Sequence, residues 1–201
     1  MADHMFAKNP SFEFNEPRTR CIPDPEDDNL YIFKTPLEIV PRSEWGAADP
    51  YTLDLSTHPL PHIFMLLMYT RTGVCRGDNY CARILREVQQ EHMLKRNLPD
   101  IQWNFMIGGN GKVYEGRGWK YSATKDSENM SWDWKSFDVA YICSKEEDVT
   151  KQMKNAASKL VRLGIQLNML VRDFVVLDDM IFRPEDYPKP EGKNMKLYTR
   201  L

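Results

Sequence analysis

Histidine and cysteine are the side chains best suited to hold a metal or act as nucleophiles near neutral pH, and this 201-residue chain has four of each. His58 and His62 stand four apart, the spacing that sets two ligands on one helix face, but Pro59 and Pro61 forbid that helix. His4 lies near the N-terminus. His92 falls on the apolar stripe of an expected helix, where a packed histidine is favoured over a ligand. Cys21, Cys75, Cys81 and Cys143 match no zinc-ribbon or redox CxxC spacing. Cys75 and Cys81 flank the turn-rich link Arg76-Gly77-Asp78-Asn79-Tyr80. From these residues alone two readings stand: a small disulfide loop made in an oxidising compartment, or two reduced buried thiols. The sequon Asn129-Met130-Ser131 leans toward the first. No Ser/His/Asp or Cys/His set for nucleophilic catalysis emerges. Gly108 to Lys112 looks superficially like a phosphate loop, but Val113 occupies the position where Ser or Thr would bind magnesium, and no helix is expected to follow.

The composition narrows the partners. Hydrophobic residues make up 42% and charged residues 28%, the balance of an ordinary globular protein with one core. Twenty-seven Lys and Arg against 29 Asp and Glu give a net charge of −2, which provides no general field for nucleic acid or an anionic membrane. The longest apolar run, Ile63 to Tyr69, falls far short of the roughly 20 residues of a membrane span. The first five residues have neither the basic start nor the apolar stretch of a signal peptide.

The elements that must position any site follow from periodicity. Residues 1–37, with five prolines and the acidic cluster Asp24, Glu26, Asp27 and Asp28, read as an extended, partly disordered arm whose one apolar patch is Tyr31-Ile32-Phe33. A folded domain is expected over 38–201. Ile63 to Tyr69 reads as a strand buried on both faces, bounded by Pro61 and Thr72-Gly73, and hence interior to a sheet. Ile84, Leu85, Val88 and His92 mark an amphipathic helix within Cys81 to Arg96. Trp103 to Gly108 and Lys112 to Glu115 alternate around Gly109-Asn110-Gly111, which predicts a tight β-hairpin. Phe137 to Cys143 reads as a further strand. Met153, Ala156, Ala157, Leu160 and Val161 make a helical stripe ending at Gly164, taken as its C′ residue, and Phe174 to Leu177 closes the series as a strand. The fold class expected is α/β, a mixed central sheet with helices on both faces.

Several segments, in this order and spacing, resemble the peptidoglycan recognition proteins, whose domain is related to zinc N-acetylmuramoyl-L-alanine amidases. They are Ile39 to Ala47, the pair Cys75 and Cys81, Gln90 to Met93, and Asp100 to Trp119 with its stretch Val113-Tyr114-Glu115-Gly116-Arg117-Gly118-Trp119. The resemblance covers roughly residues 38–188. It implies a disulfide between Cys75 and Cys81 and a groove that in relatives binds muramyl peptides.

In relatives that cleave the amide, two His and one Cys hold zinc and leave a fourth position for water. Aligned on the motif, those positions carry Met68, Asp179 and Tyr187, and Trp103 replaces the tyrosine kept beside the metal. A thioether and a phenol are poor zinc donors beside one carboxylate, so neither metal, cofactor nor catalysis is expected. The resemblance also names a candidate groove set: Thr70, Arg71, Trp103, Trp119, Lys120, Tyr121, Thr124, Trp132 and Trp134. Lys120-Tyr121 stands where relatives carry a discriminating pair, and Thr124 stands for a groove histidine. Arg71 adds charge and bulk at the mouth, whereas Met180 replaces a basic residue. Trp132 and Trp134, in a loop over 125–135, are read either as sugar-stacking platforms or a groove plug, or as caps on the core edge.

The expectation is a non-catalytic recognition domain of innate immunity, resembling the long insect forms. It would act outside the cell or as an ectodomain by associating with a protein, another recognition protein being the partner considered. Muropeptide binding would be weakened or absent; direct muropeptide binding is the alternative.

Overall fold

The computed structural model describes residues 36–68, 73–124 and 136–179. Six strands form one mixed sheet: β1 (Ile39–Val40), β2 (Leu60–Met68), β3 (Phe105–Ile107), β4 (Val113–Glu115), β5 (Ser136–Ile142) and β6 (Leu170–Asp179). Their order across the sheet is β1-β4-β3-β5-β2-β6. Only β3 and β4 run antiparallel, as the Asn110-Gly111 turn requires; the other neighbours are parallel. Among the described residues three α-helices accompany them, α1 (Arg42–Trp45), α2 (Asp78–Lys95) and α3 (Lys151–Gln166), with a short 3-10 turn at Glu146–Asp148.

Alternation along the strands splits the core in two. Ile63, Met65, Phe105, Ile107, Phe137, Val139 and Tyr141 point to the face covered by α3, where Met153, Ala156, Ala157, Leu160 and Val161 meet them. Phe64, Leu66, Met68, Met106, Tyr114, Ala140 and Ile142 point the other way, toward Trp45 of α1 and Ile84 and Leu85 of α2. Helices therefore cover both faces, and β2, flanked by β5 and β6, is interior.

Three expectations shift. β2 starts at Leu60 and runs through Pro61, because the register slips between Leu60 and His62 and the irregularity accommodates a residue without an amide hydrogen. α2 starts at Asp78, earlier than Cys81, with the Cys81 amide bonded to the Gly77 carbonyl at 2.8 Å. Gly164 is no C′ residue: α3 continues to Gln166, and Asn168 takes the left-handed conformation at φ 58°. Gly164 is there because a Cβ would sit 2.8 Å from both Trp119 Cζ3 and Leu170 Cδ1, so the indole packs directly on the helix backbone. Thr150 caps the start of α3, its hydroxyl accepting from the Met153 amide at 3.2 Å.

The proposed arm, apart from its last two residues, lies outside the described residues, as do the sequon and Tyr31-Ile32-Phe33. Among the described residues no helix is long and apolar enough to cross a membrane.

Candidate ligand groove

The segment Gly116 to Thr124 carries the residues expected to read a ligand, and buried polar groups fix it from beneath. Asn104, almost fully buried, donates through its side-chain amide to the carbonyls of Gly118 at 2.8 Å and Tyr121 at 2.7 Å. Its carboxamide oxygen accepts from the Asp138 amide at 2.9 Å, tying the segment to β5. The Gly116 and Gly118 amides bond the Asn104 carbonyl at 2.9 and 3.0 Å. A Cβ at Gly116 would run into the Trp103 carbonyl, so glycine is required for this approach. The outer side is held by residues 54–56: Ser56 N–H donates to Lys120 O at 3.0 Å and Ser122 N–H to Asp54 O at 2.8 Å, with Leu55 bridged antiparallel to Tyr121. Thr124 N–H bonds the Gln102 carbonyl at 2.8 Å.

A second hub lies beneath α1. The buried Asp100 carboxylate accepts from both terminal nitrogens of Arg42 at 2.9 and 3.1 Å, from Gln89 at 2.7 Å and from the Ile101 amide at 2.7 Å. Arg42 reaches on to the Gly116 carbonyl at 2.7 Å, so residues 39–47 and the segment Gly116 to Thr124 share one anchor. Arg117 lies 3.9 Å from Asp100 and donates to the Ser122 carbonyl; burial pulls its guanidinium below the usual range, and Asp100 opposes that pull.

The structure gathers some of the expected residues and separates others. Lys120 is exposed, its ammonium 5.5 Å from the ring centre of half-buried Tyr121. Trp103 is 6% exposed and meets His92 edge to face, ring centres 5.2 Å apart. His92 is a packed core residue: Nδ1 accepts from the Gln102 amide at 3.1 Å, and burial, with Arg96 adding to it, pushes its pKa down to about 3. Met68 belongs to the same apolar cluster as Trp103, on the α2 side. Trp119 lies across the sheet from them, stacked on Phe137 at 4.7 Å and 5° and tilted on Phe105 at 4.9 Å. Cys75 and Cys81 are bonded to each other beneath the hairpin turn, with Cα atoms 5.1 Å apart. Cys143 is buried and reduced, its thiol pushed up to about 12 by burial and by Asp148. Thr70, Arg71, Trp132, Trp134, Met180 and Tyr187 lie outside the described residues.

Met68 and Asp179, which the resemblance sets at two zinc-ligand positions, end neighbouring strands: β2 and β6 are parallel and Leu66 is opposite Asp179. Met68 is 1% exposed, its thioether packed among apolar side chains. Among the described residues no group of three or more His, Cys, Asp and Glu could hold a metal ion. A thioether buried among apolar side chains is a poor zinc donor.

Asn104, Asp100 and Asp138 were not singled out from the sequence as site-forming. Asp138 carried a local signal, a lone acid inside an apolar strand stretch where burial demands partners; Asp100 and Asn104, outside any strand, did not.

No protein-family profile matches the chain. A peptidoglycan recognition protein from Trichoplusia ni is 30% identical over 164 residues, covering 81% of this chain and 85% of its own. Among solved structures, a Drosophila PGRP-LB variant in complex with tracheal cytotoxin superposes with a TM-score of 0.64 at 28% identity, covering 70% of this chain and 81% of that one. The ectodomain complex of PGRP-LCa and PGRP-LCx with tracheal cytotoxin gives a TM-score of 0.63 at 24% identity over 71% of this chain and 84% of that one, a likeness of fold. Signature segments, sheet order, disulfide and relatives agree, and the chain belongs to the peptidoglycan recognition protein family.

Proposed function

We propose that this chain is a non-catalytic recognition protein that works in innate immune recognition or regulation, outside the cell or as an ectodomain, by associating with another protein, with muropeptide binding weakened or lost. The observation that carries the reading is Met68. At the position the resemblance gives to the first zinc ligand, the side chain is a buried thioether in an apolar cluster, a neutral group that neither holds zinc at this rim nor activates water. Trp103 fills the same side with an indole already in contact with the His92 ring. The test is metal analysis of the purified chain together with digestion of peptidoglycan. The reading expects no stoichiometric zinc and no released stem peptide; chelator-sensitive release would overturn it.

A second reading, direct muropeptide capture, is supported by exposed Lys120, which offers a cation to the carboxylates of a stem peptide, and by the relative that binds tracheal cytotoxin. Pull-down by insoluble peptidoglycan, lost on Lys120→Ala, would favour it over the first.

A further inference from the structure

The two long helices differ in charge. α2 sets Asp78, Glu87 and Glu91 against Arg83, Arg86 and Lys95, whereas α3 carries Lys151, Lys154, Lys159 and Arg162 and no acid at all. At the helical period these four cations fall within about 140° of the circumference, on the side away from buried Met153, Ala157 and Leu160. Lys151 and Arg162 are exposed, and Lys154 and Lys159 are half-buried. Like charges three positions apart destabilise a helix, so Lys151 with Lys154 and Lys159 with Arg162 leave a standing cost that an anion on this face relieves.

The chain itself supplies an anion within reach. Asp24, Glu26, Asp27 and Asp28 crowd one short stretch of the N-terminal arm. The arm joins the domain at Pro36 and Leu37, which border a cavity of about 350 Å³ together with Gln152, Asn155 and Lys159 of α3. The acids are therefore tethered at the flank of the cationic face. The chain from Asp28 to Pro36 spans at most about 29 Å, while α3 measures about 24 Å, so all of the helix lies within range. A tether this short gives the acids a high effective concentration, which lets ion pairs that are weak singly act together. Glu146, Glu147 and Asp148 stand just before the helix and repel an acidic segment from its first turn, which favours the half bearing Lys159 and Arg162.

We infer that the cationic face of α3 is a docking surface for acidic residues 24–28 of the chain's own arm, on the side of the sheet opposite α2. So covered, the face is closed to other polyanions until salt or a stronger partner displaces the arm. This contact goes beyond the function proposed above and holds whether or not the groove binds muropeptide.

The experiment is zero-length carbodiimide coupling of carboxylates to lysine amines in the full chain at low ionic strength, with the joined peptides identified by mass spectrometry. An equal mixture of isotope-labelled and unlabelled protein separates contacts within one chain from contacts between copies. Residues 24–28 are expected to couple to Lys154 and Lys159 about fivefold more than to Lys120 or to Lys95, exposed at the end of α2, with both halves of each link in one isotope. High salt is expected to suppress the α3 links several-fold. Arg162→Glu, at an exposed position, is expected to lower coupling to Lys159 likewise, while coupling to Lys34, near in sequence, changes little and shows that the reagent worked. Links spread evenly over Lys95, Lys120 and α3, links that salt and Arg162→Glu leave unchanged, or none beyond Lys34 would overturn the inference. Links that join the two isotopes would move the docking to a second copy and overturn it as a contact within the chain.

Discussion

Asn104 and Asp138 are bonded to each other twice: the Asn104 amide donates to the Asp138 carbonyl at 3.0 Å, and the Asp138 amide donates to the Asn104 carboxamide oxygen at 2.9 Å. The two amide hydrogens of that side chain go to the Gly118 and Tyr121 carbonyls, so one buried carboxamide joins β5 to the segment Gly116 to Thr124. Asn104→Ala would strand two carbonyls and one amide out of water. We expect a loss of about 2–3 kcal/mol, read as a lower midpoint in urea. Asn104→Asp is expected to lose stability as well, because an oxygen would face carbonyls that need a donor. A loss indistinguishable from zero for both would show that the segment is held elsewhere.

The Cys75–Cys81 bridge closes a short loop directly under the hairpin turn, where Lys112 and Asn110 also reach Asp78 at 2.8 Å each. The entropy of closing so short a loop is worth about 2 kcal/mol. Reduction, or the paired change of both cysteines to alanine, is expected to lower the melting temperature by several degrees without unfolding the chain. Unchanged melting under reductant would contradict this.

His92 gives a pH dependence with a definite sign. Its folded pKa lies near 3 and its unfolded value near 6.5, so the unfolded state binds more protons between them. Stability from this residue is complete above the unfolded value and falls as pH drops through 6 and 5 toward the folded value, at no more than about 1.4 kcal/mol per pH unit. Urea midpoints measured across that window should decline with acid, and His92→Gln, which keeps an acceptor for the Gln102 amide, should flatten the decline. Parallel slopes for both proteins would refute the assignment.

Gly164→Ala should destabilise, although alanine is the better helix former by about 1 kcal/mol. The added methyl meets an indole already stacked on Phe137. A net loss of about 1–2 kcal/mol is expected from overpacking. Trp119→Leu combined with Gly164→Ala should recover part of it, and a double-mutant cycle in urea with no coupling would sink the argument.

Much of the frame was legible because its signals are local. The unbroken apolar run around Ile63, the Asn110-Gly111 turn and the alternation from Phe137 to Cys143 each identify an element without help from the rest of the chain. What misled was tertiary in origin. Gly164 looks like a helix terminator, yet its missing Cβ serves Trp119, a residue far away in sequence. Pro61 looks like a strand boundary, yet a slip in register lets β2 run through it. For the groove, type and order named Lys120 and Tyr121, but not the face each aromatic would take: Trp119 packs toward α3 and Trp103 toward α2. Nor did Asn104 declare itself, since a single asparagine before an apolar strand carries no sign of how many carbonyls await it.

The stretch from Gly118 to Thr124 is gripped through its main chain: carbonyls taken by Asn104 and Ser56, amides given to Asp54 and Gln102. Nothing in that grip depends on which side chains occupy 120 and 121. Substitution at those two positions should therefore alter the chemistry this stretch exposes while the path of its backbone is kept.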